Sequence, residues 1–150
     1  MIINIKGNIL EAKEDLIGHQ VNCQGAFGAG LAKQIREKYP FAYESYRTCC
    51  DETEDKRDLL GRIKQVKQND GKIIVHIFGQ LGYGRGKLQT DYKALERGLK
   101  VLEIKARNSE ESVALPYGIG CGLAGGDWEI VCKIIDKVFK DYEVSLYKFN

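Results

Sequence analysis

Residues 21–33 read VNCQGAFGAGLAK, and this stretch decides the fold. An apolar, strand-like run over 16–21 leads into Asn22, Cys23 and Gln24, and Gly25, Gly28 and Gly30 follow within six positions. From 28 to 39 the spacing turns helical: Leu31, Ile35 and Tyr39 share a face, while Lys33, Arg36 and Lys38 lie mostly outside it. A bare backbone therefore stands where a strand hands over to a helix. The first N–H groups of a helix have no partner inside it and carry partial positive charge. Glycine lets such a backbone take positive φ and approach a ligand closely. The junction suits a phosphate.

The same arrangement recurs in PYGIGCGLAGGDW, residues 116–128, where five glycines separate a strand from a helix. Two such loops on one cleft could hold a diphosphate between them; tight turns alone are the other explanation. The Walker pattern is absent. Gly28-Ala29-Gly30 lacks the third glycine of the dinucleotide fingerprint, so neither a kinase-like nor a dehydrogenase-like mode of holding the diphosphate applies.

Working outward, 2–5 (IINI) reads as a short strand stopped by Gly7-Asn8. Pro40 ends the first helix, and 41–50 reads as another with Tyr43, Tyr46 and Cys50 on one side. The charged run DETEDKRD, 51–58, reads as loop. Runs 63–66 and 72–78 flank the turn signal Asn69-Asp70-Gly71 and could pair as a hairpin. A glycine-rich loop covers 79–86. A helix over 90–106 has Thr90 as N-cap and Leu95, Leu99, Leu102 and Ala106 toward the core. A strand over 113–115 runs into Pro116; a helix over 127–140 aligns Ile130, Ile134 and Val138; 143–149 is the last strand. Strands alternating with helices predict a single domain over 1–150. Its expected architecture is a three-layer α/β/α sandwich with a central mixed, mostly parallel sheet. In such sheets ligands sit at the carboxyl ends of the strands.

Composition narrows the function. With 150 residues, 43% apolar and 29% charged, the chain has the make-up of one globular domain. Its net charge of +2, with signs interspersed, does not describe a nucleic-acid-binding surface. No run reaches membrane-spanning length, and the first residues lack the layout of a secretory signal. The odd count of five cysteines fits reduced thiols in a cytoplasm. Neither the cysteines nor His19 and His76 have zinc-ligand spacing, so no metal is expected.

Four segments carry a family resemblance: IKGNIL (5–10), HQVNCQGAFGAGLAKQIREKYPFAYESY (19–46), IFGQLGYGRGKLQTDY (77–92) and ALPYGIGCGLAGGDWEIV (114–131). Over nearly its whole length the chain resembles a macrodomain. It is most similar to the branch holding the terminal ADP-ribose protein glycohydrolase and the small ADP-ribose-1″-phosphate phosphatases. The resemblance implies ADP-ribose in the cleft as ligand or substrate, with no cofactor. Asn8 and Ile9 match the adenine site, where relatives often carry Asp and Asn8 can still accept a bond. Asn22, Gln24, Gly28, Ala29 and Gly30 match the distal-ribose loop. Ile119, Gly120, Cys121, Gly122 and Leu123 match the diphosphate loop, and Pro116, just before it, is expected to touch the ligand. Tyr147 or Phe149 would stack on adenine, or pack in the core.

Chemistry needs more than binding. His19 is either a proton relay near neutral pH or a buried histidine bonded to backbone. Asp91 and Asp127 each open a helix, so capping competes with catalysis; Lys87, beside Arg85, is either solvated or closes on phosphate. The glycohydrolase relative uses a lysine and an acid; the matching positions here are near Gln80 and at Ala124. The expectation is a hydrolase acting at the ADP-ribose 1″ position, with His19 and Asp91 moving protons and Asn22 orienting the ribose. The alternatives are a non-catalytic reader of ADP-ribosylated macromolecules and an O-acetyl-ADP-ribose deacetylase. The expected partner is that ligand or macromolecule, with no direct nucleic-acid or membrane contact, and the expected state is a monomer.

Overall fold

Ten regular elements carry the chain through residues 1–149, the part that the computed structural model describes. They are β1 (Ile2–Lys6), β2 (Leu16–Asn22), α1 (Gly30–Lys38), α2 (Pro40–Glu52), β3 (Ile63–Lys67), β4 (Ile73–Gln80), α3 (Tyr92–Ser109), β5 (Val113–Pro116), α4 (Trp128–Val138) and β6 (Val144–Lys148). The six strands form one sheet in the order β1-β6-β5-β2-β4-β3. All neighbours are parallel except the hairpin pair β3 and β4.

Both sheet faces are covered, so β2 and β4 read as nearly continuous buried runs. Alternate residues sort to opposite sides. Ile17, Val21, Ile74 and Phe78 pack with α1 and α2 residues such as Ile35, Ala42 and Tyr46. Leu16, Val75, Ile77 and Leu115 pack with Leu95, Leu99 and Leu102 of α3 and Val131 and Ile135 of α4. The close seat of α3 on β4 needs Gly98, because a Cβ there would lie 2.7 Å from Ile77 Cγ2.

Several local expectations change. Pro40 does more than end the first helix: it occupies the first turn of α2, where a missing N–H costs nothing. The run 51–58 is not all loop. Helix α2 continues to Glu52, and Asp55 caps a short 3-10 turn, Lys56–Leu59. Asp91, not Thr90, caps α3, its carboxylate accepting Ala94 N–H at 3.0 Å, because Thr90 turns inward. On α4 the buried residues are Val131 and Ile135, in line with Phe139; Ile130 is exposed and Ile134 and Val138 are half-buried.

The feature that positions the site is a split in the sheet. Strand β2 pairs with β5 only through Leu16↔Val113 and Ile17↔Ala114. It then stays with β4 as far as Gln80, while β5 stays with β6 as far as Tyr147. The two strands therefore part toward their carboxyl ends. From β2 the chain continues into α1 and from β5 into α4. Such a reversal point is where open α/β sheets bind ligands.

Within the sheet, His19 and His76 face each other across β2 and β4. His76 Nε2 lies 2.9 Å from the Ala42 carbonyl, which can only accept, so that nitrogen carries the hydrogen. His76 Nδ1 is then bare and accepts from His19 Nε2 at 2.8 Å. This pattern needs the His76 ring neutral, and burial disfavours a charge on His19 beside it. Burial, with the neighbouring ring adding to it, holds His19 well below the ordinary histidine value, and burial brings His76 down to about 4. The unfolded chain therefore takes up protons first as pH falls. Stability is full above the ordinary value of about 6.5 and is lost between there and about pH 4, by on the order of 3 kcal/mol for His76. Urea midpoints at pH 7.5, 6.0 and 5.0 should fall steadily; a flat series would contradict the neutral pair.

Candidate functional site

At the end of β2 the chain folds around Asn22. Its Oδ1 accepts the N–H groups of Gln24 (2.9 Å) and Ala26 (3.3 Å), and its Nδ2 donates to the Ala26 carbonyl (2.8 Å). From α2, the Tyr46 hydroxyl donates to the Asn22 carbonyl (2.7 Å) and accepts Gly25 N–H (3.1 Å). Phe27 plugs the loop into the core, stacked on Tyr46 at 4.6 Å and edge-on to His19 at 5.3 Å. The chain then emerges at Gly28, Ala29 and Gly30, all exposed. Ala29 supplies no side-chain cap to α1. The amides of Gly28, Gly30, Leu31 and Ala32 find no acceptor among the described residues.

Across the split, the loop after β5 is closed at its neck. Gly126 N–H donates to the Gly120 carbonyl at 2.9 Å, and the Thr90 hydroxyl donates to the same oxygen at 2.6 Å. Between them the amides of Gly122, Leu123 and Ala124 have no acceptor among the described residues. Gly28 and Gly122 share a telling property. Neither has positive φ, and nothing lies within 4 Å of where a Cβ would stand. The fold does not require glycine at either place, and a side chain there would project into open space.

The third wall is loop 81–89, whose ends meet where Gln80 pairs with Thr90. Its start is tied to the first glycine loop: Cys23 N–H and Gln24 Nε2 both donate to the Leu81 carbonyl, at 3.2 and 3.0 Å. Its end is tied to the second: Gln89 and Thr90 N–H donate to the Ala124 carbonyl, at 2.8 and 3.2 Å. Below lies a polar cluster. Gln20 Nε2 donates to Gln80 Oε1 (2.8 Å) and to Thr90 Oγ1 (2.9 Å). Gln20 Oε1 is buried without a partner among the described residues. Sequence reasoning missed Gln20 and Tyr46 as builders of the site; the signal for Gln20 was an amide in the middle of a buried strand.

The expected site residues fare unequally. His19 is 2% exposed and bonded to His76 under the loop, so it is a core histidine rather than a proton relay in the cleft; its partner is a ring, not backbone. Tyr147 is 9% exposed, with its hydroxyl 2.6 Å from Glu14 Oε1 and its ring beside Gly7, so it is not a free stacking face. Phe149, two residues on, is exposed. Asn8 spends its Oδ1 on Leu10 N–H at 3.0 Å, holding the turn at the end of β1, and Ile9 is buried beneath it. Asp91 is exposed and caps α3 through one oxygen. Ile119 is buried, Pro116, Gly120 and Cys121 are half-buried, and Leu123 is exposed. Burial, with the Asp127 carboxylate adding to it, pushes the Cys121 thiol up to about 11, so it is no thiolate at neutral pH.

Removing the Tyr46 hydroxyl should loosen this frame. Tyr46→Phe strands Gly25 N–H and the Asn22 carbonyl in a buried place, at a cost of about 1–3 kcal/mol. Urea unfolding of the variant at pH 7.5 measures it, and an unchanged midpoint would show that the hydroxyl does not hold the loop.

Comparison with known proteins agrees with this geometry. Residues 19–135 match the family model for the Macro domain. An ADP-ribose 1″-phosphate phosphatase of Candida glabrata is 32% identical over 97% of this chain and 80% of its own length. A DNA ADP-ribosyl glycohydrolase of Mycobacterium tuberculosis is 29% identical over 98% of this chain, which spans 42% of that protein. The solved macrodomain of Mycobacterium tuberculosis DarG superimposes with a TM-score of 0.82 at 29% identity, covering 98% of this chain and 97% of that one. Split sheet, paired glycine loops and sequence agree: the chain belongs to the macrodomain family.

Proposed function

We propose that the chain binds ADP-ribose where β2 and β5 part and hydrolyses a group from the 1″ position of its distal ribose. The observation that carries this reading is the pair of glycine loops on either side of the split, with unpartnered amides and with Gly28 and Gly122 leaving room. The names of the phosphatase and glycohydrolase relatives support the same chemistry.

In this reading the diphosphate accepts from both sets of amides. Asn22 keeps the first loop rigid and has a second Nδ2 hydrogen for the distal ribose, beside Gln24 and Ala29. Adenine lies toward Asn8 and Ile9. Pro116, Ile119, Gly120, Cys121 and Leu123 form the opposite wall. Asp91 follows Thr90, the residue that latches Gly120, and one oxygen of its carboxylate is not used by the cap. It is the group we assign to take a proton from the attacking water. Water adds to phosphorus, the bond from phosphorus to the 1″ oxygen breaks, and the proton held by Asp91 passes to that departing oxygen, so that ADP-ribose with a free 1″ hydroxyl and inorganic phosphate leave.

Calorimetry with ADP-ribose should give a Kd in the micromolar range, roughly −7 to −8 kcal/mol. Gly122→Glu places a carboxylate in the open space without straining the fold and should weaken binding at least about tenfold. No heat from the wild-type chain at millimolar ligand would end this reading.

Asp91→Asn isolates the charge, because Asn caps a helix as well as Asp does. Turnover of ADP-ribose 1″-phosphate should drop by about 100-fold or more, with ADP-ribose affinity nearly unchanged. A second reading, a reader without turnover, is favoured by the family resemblance, which would put the lysine of the glycohydrolase branch near Gln80 and its acid at Ala124. Micromolar binding with no product from either ADP-ribose 1″-phosphate or an ADP-ribosylated protein would select it.

A further inference from the structure

The loop 81–89 does work that the reading above leaves unassigned. Its neck is fixed between both glycine loops, through the Leu81 carbonyl on one side and the Ala124 carbonyl on the other. Its tip, 83–88, makes no hydrogen bond among the described residues. Gly84 (φ +124°) and Gly86 (φ +89°) give it left-handed turns. The second glycine loop lies directly against it: a Cβ on Gly125 would come within 3.1 Å of the Lys87 carbonyl. A loop with close ends and a tip unbound to its own fold is a common carrier of function.

The tip's charge is one-sided. Arg85 and Lys87 are both exposed, the loop contains no acid, and neither cation takes part in an ion pair among the described residues. Most of this near-neutral surface intersperses its signs. Two unpaired cations on a bendable tip are therefore a local anion-seeking element. Its anchor at Leu81 is made by Cys23 and Gln24, of the loop assigned to the distal ribose.

We propose that Arg85 and Lys87 recognise a phosphate carried on the 1″ oxygen of the distal ribose, making loop 81–89 the element that selects phosphorylated over unsubstituted ADP-ribose. The proposal rests on the reading that the cleft binds ADP-ribose. A guanidinium suits two oxygens of a phosphate monoester at once, and an ammonium adds a movable point charge. Both are exposed on a loop whose neck is tied to the two glycine loops, and the amides of those loops are taken up by the diphosphate in this reading. The same phosphate chemistry could come from a free 1″-monoester or from a nucleic-acid backbone; the compact tip with two cations favours the monoester.

The test compares the wild-type chain with Arg85→Ala/Lys87→Ala on three ligands: ADP-ribose, ADP-ribose 1″-phosphate and an ADP-ribosylated oligodeoxynucleotide. The double variant should leave the Kd for ADP-ribose within about twofold and weaken the 1″-phosphate at least about tenfold, with Arg85→Lys/Lys87→Arg recovering part of the loss. Equal loss on ADP-ribose and its 1″-phosphate would place the cations on the diphosphate and overturn the proposal. No loss on either would also overturn it, as would a loss confined to the oligonucleotide. A wild-type chain that fails to bind ADP-ribose defeats the earlier reading; a wild-type chain that binds it, beside a variant that is indistinguishable, defeats this one alone.

Discussion

Strand β2 leaves β5 after Ile17 while keeping its other neighbour, and the rest of the molecule is arranged around that departure. An unbroken parallel ladder would bring the two glycine loops side by side with no room between them. Beside the gap the Gln20 amide reaches Gln80 and Thr90, and Gly79 makes space for it: a Cβ there would lie 2.4 Å from Gln20 Oε1. That amide leaves one buried oxygen without a donor among the described residues. An unmet acceptor of this kind costs about 1–3 kcal/mol.

The loops that line the opening are stiff where they are buried and bare where they are exposed. In the first, Asn22, Tyr46 and Phe27 fix the backbone from below, with the histidine pair packed under Phe27. In the second, Thr90 and Gly126 hold one carbonyl. Donors fixed in advance need little reorganisation when an anion arrives, which is what makes such donors effective. The aromatic cluster is thus as much a part of the site as the glycines above it.

Much of this was legible in the residues. Alternating runs gave the layers and the parallel sheet, and glycines between strand and helix marked both loops. Individual side chains were harder. His19 lies three positions before Asn22, which suggested the cleft, yet strand alternation turns it into the α1–α2 face, where His76 meets it across the sheet. That pairing depends on register between segments far apart in the chain. Thr90 looked like a cap because it precedes a helical run; its hydroxyl instead crosses to Gly120, a partner 30 residues away. Tyr147 carries the aromatic expected over adenine, but Glu14, distant in sequence, captures its hydroxyl. Local pattern fixes elements, whereas long-range contacts decide which way a polar side chain is spent.

Gly28 and Gly122 stand apart from the other loop glycines. Gly25, Gly30, Gly118, Gly120 and Gly125 all adopt left-handed backbone that other residues resist, whereas these two do not, and empty space surrounds them. Folding is indifferent to what they carry. In the proposed reading, a side chain at either place would narrow the mouth of the cleft while the scaffold stayed intact, which separates what the opening admits from how well the chain endures heat.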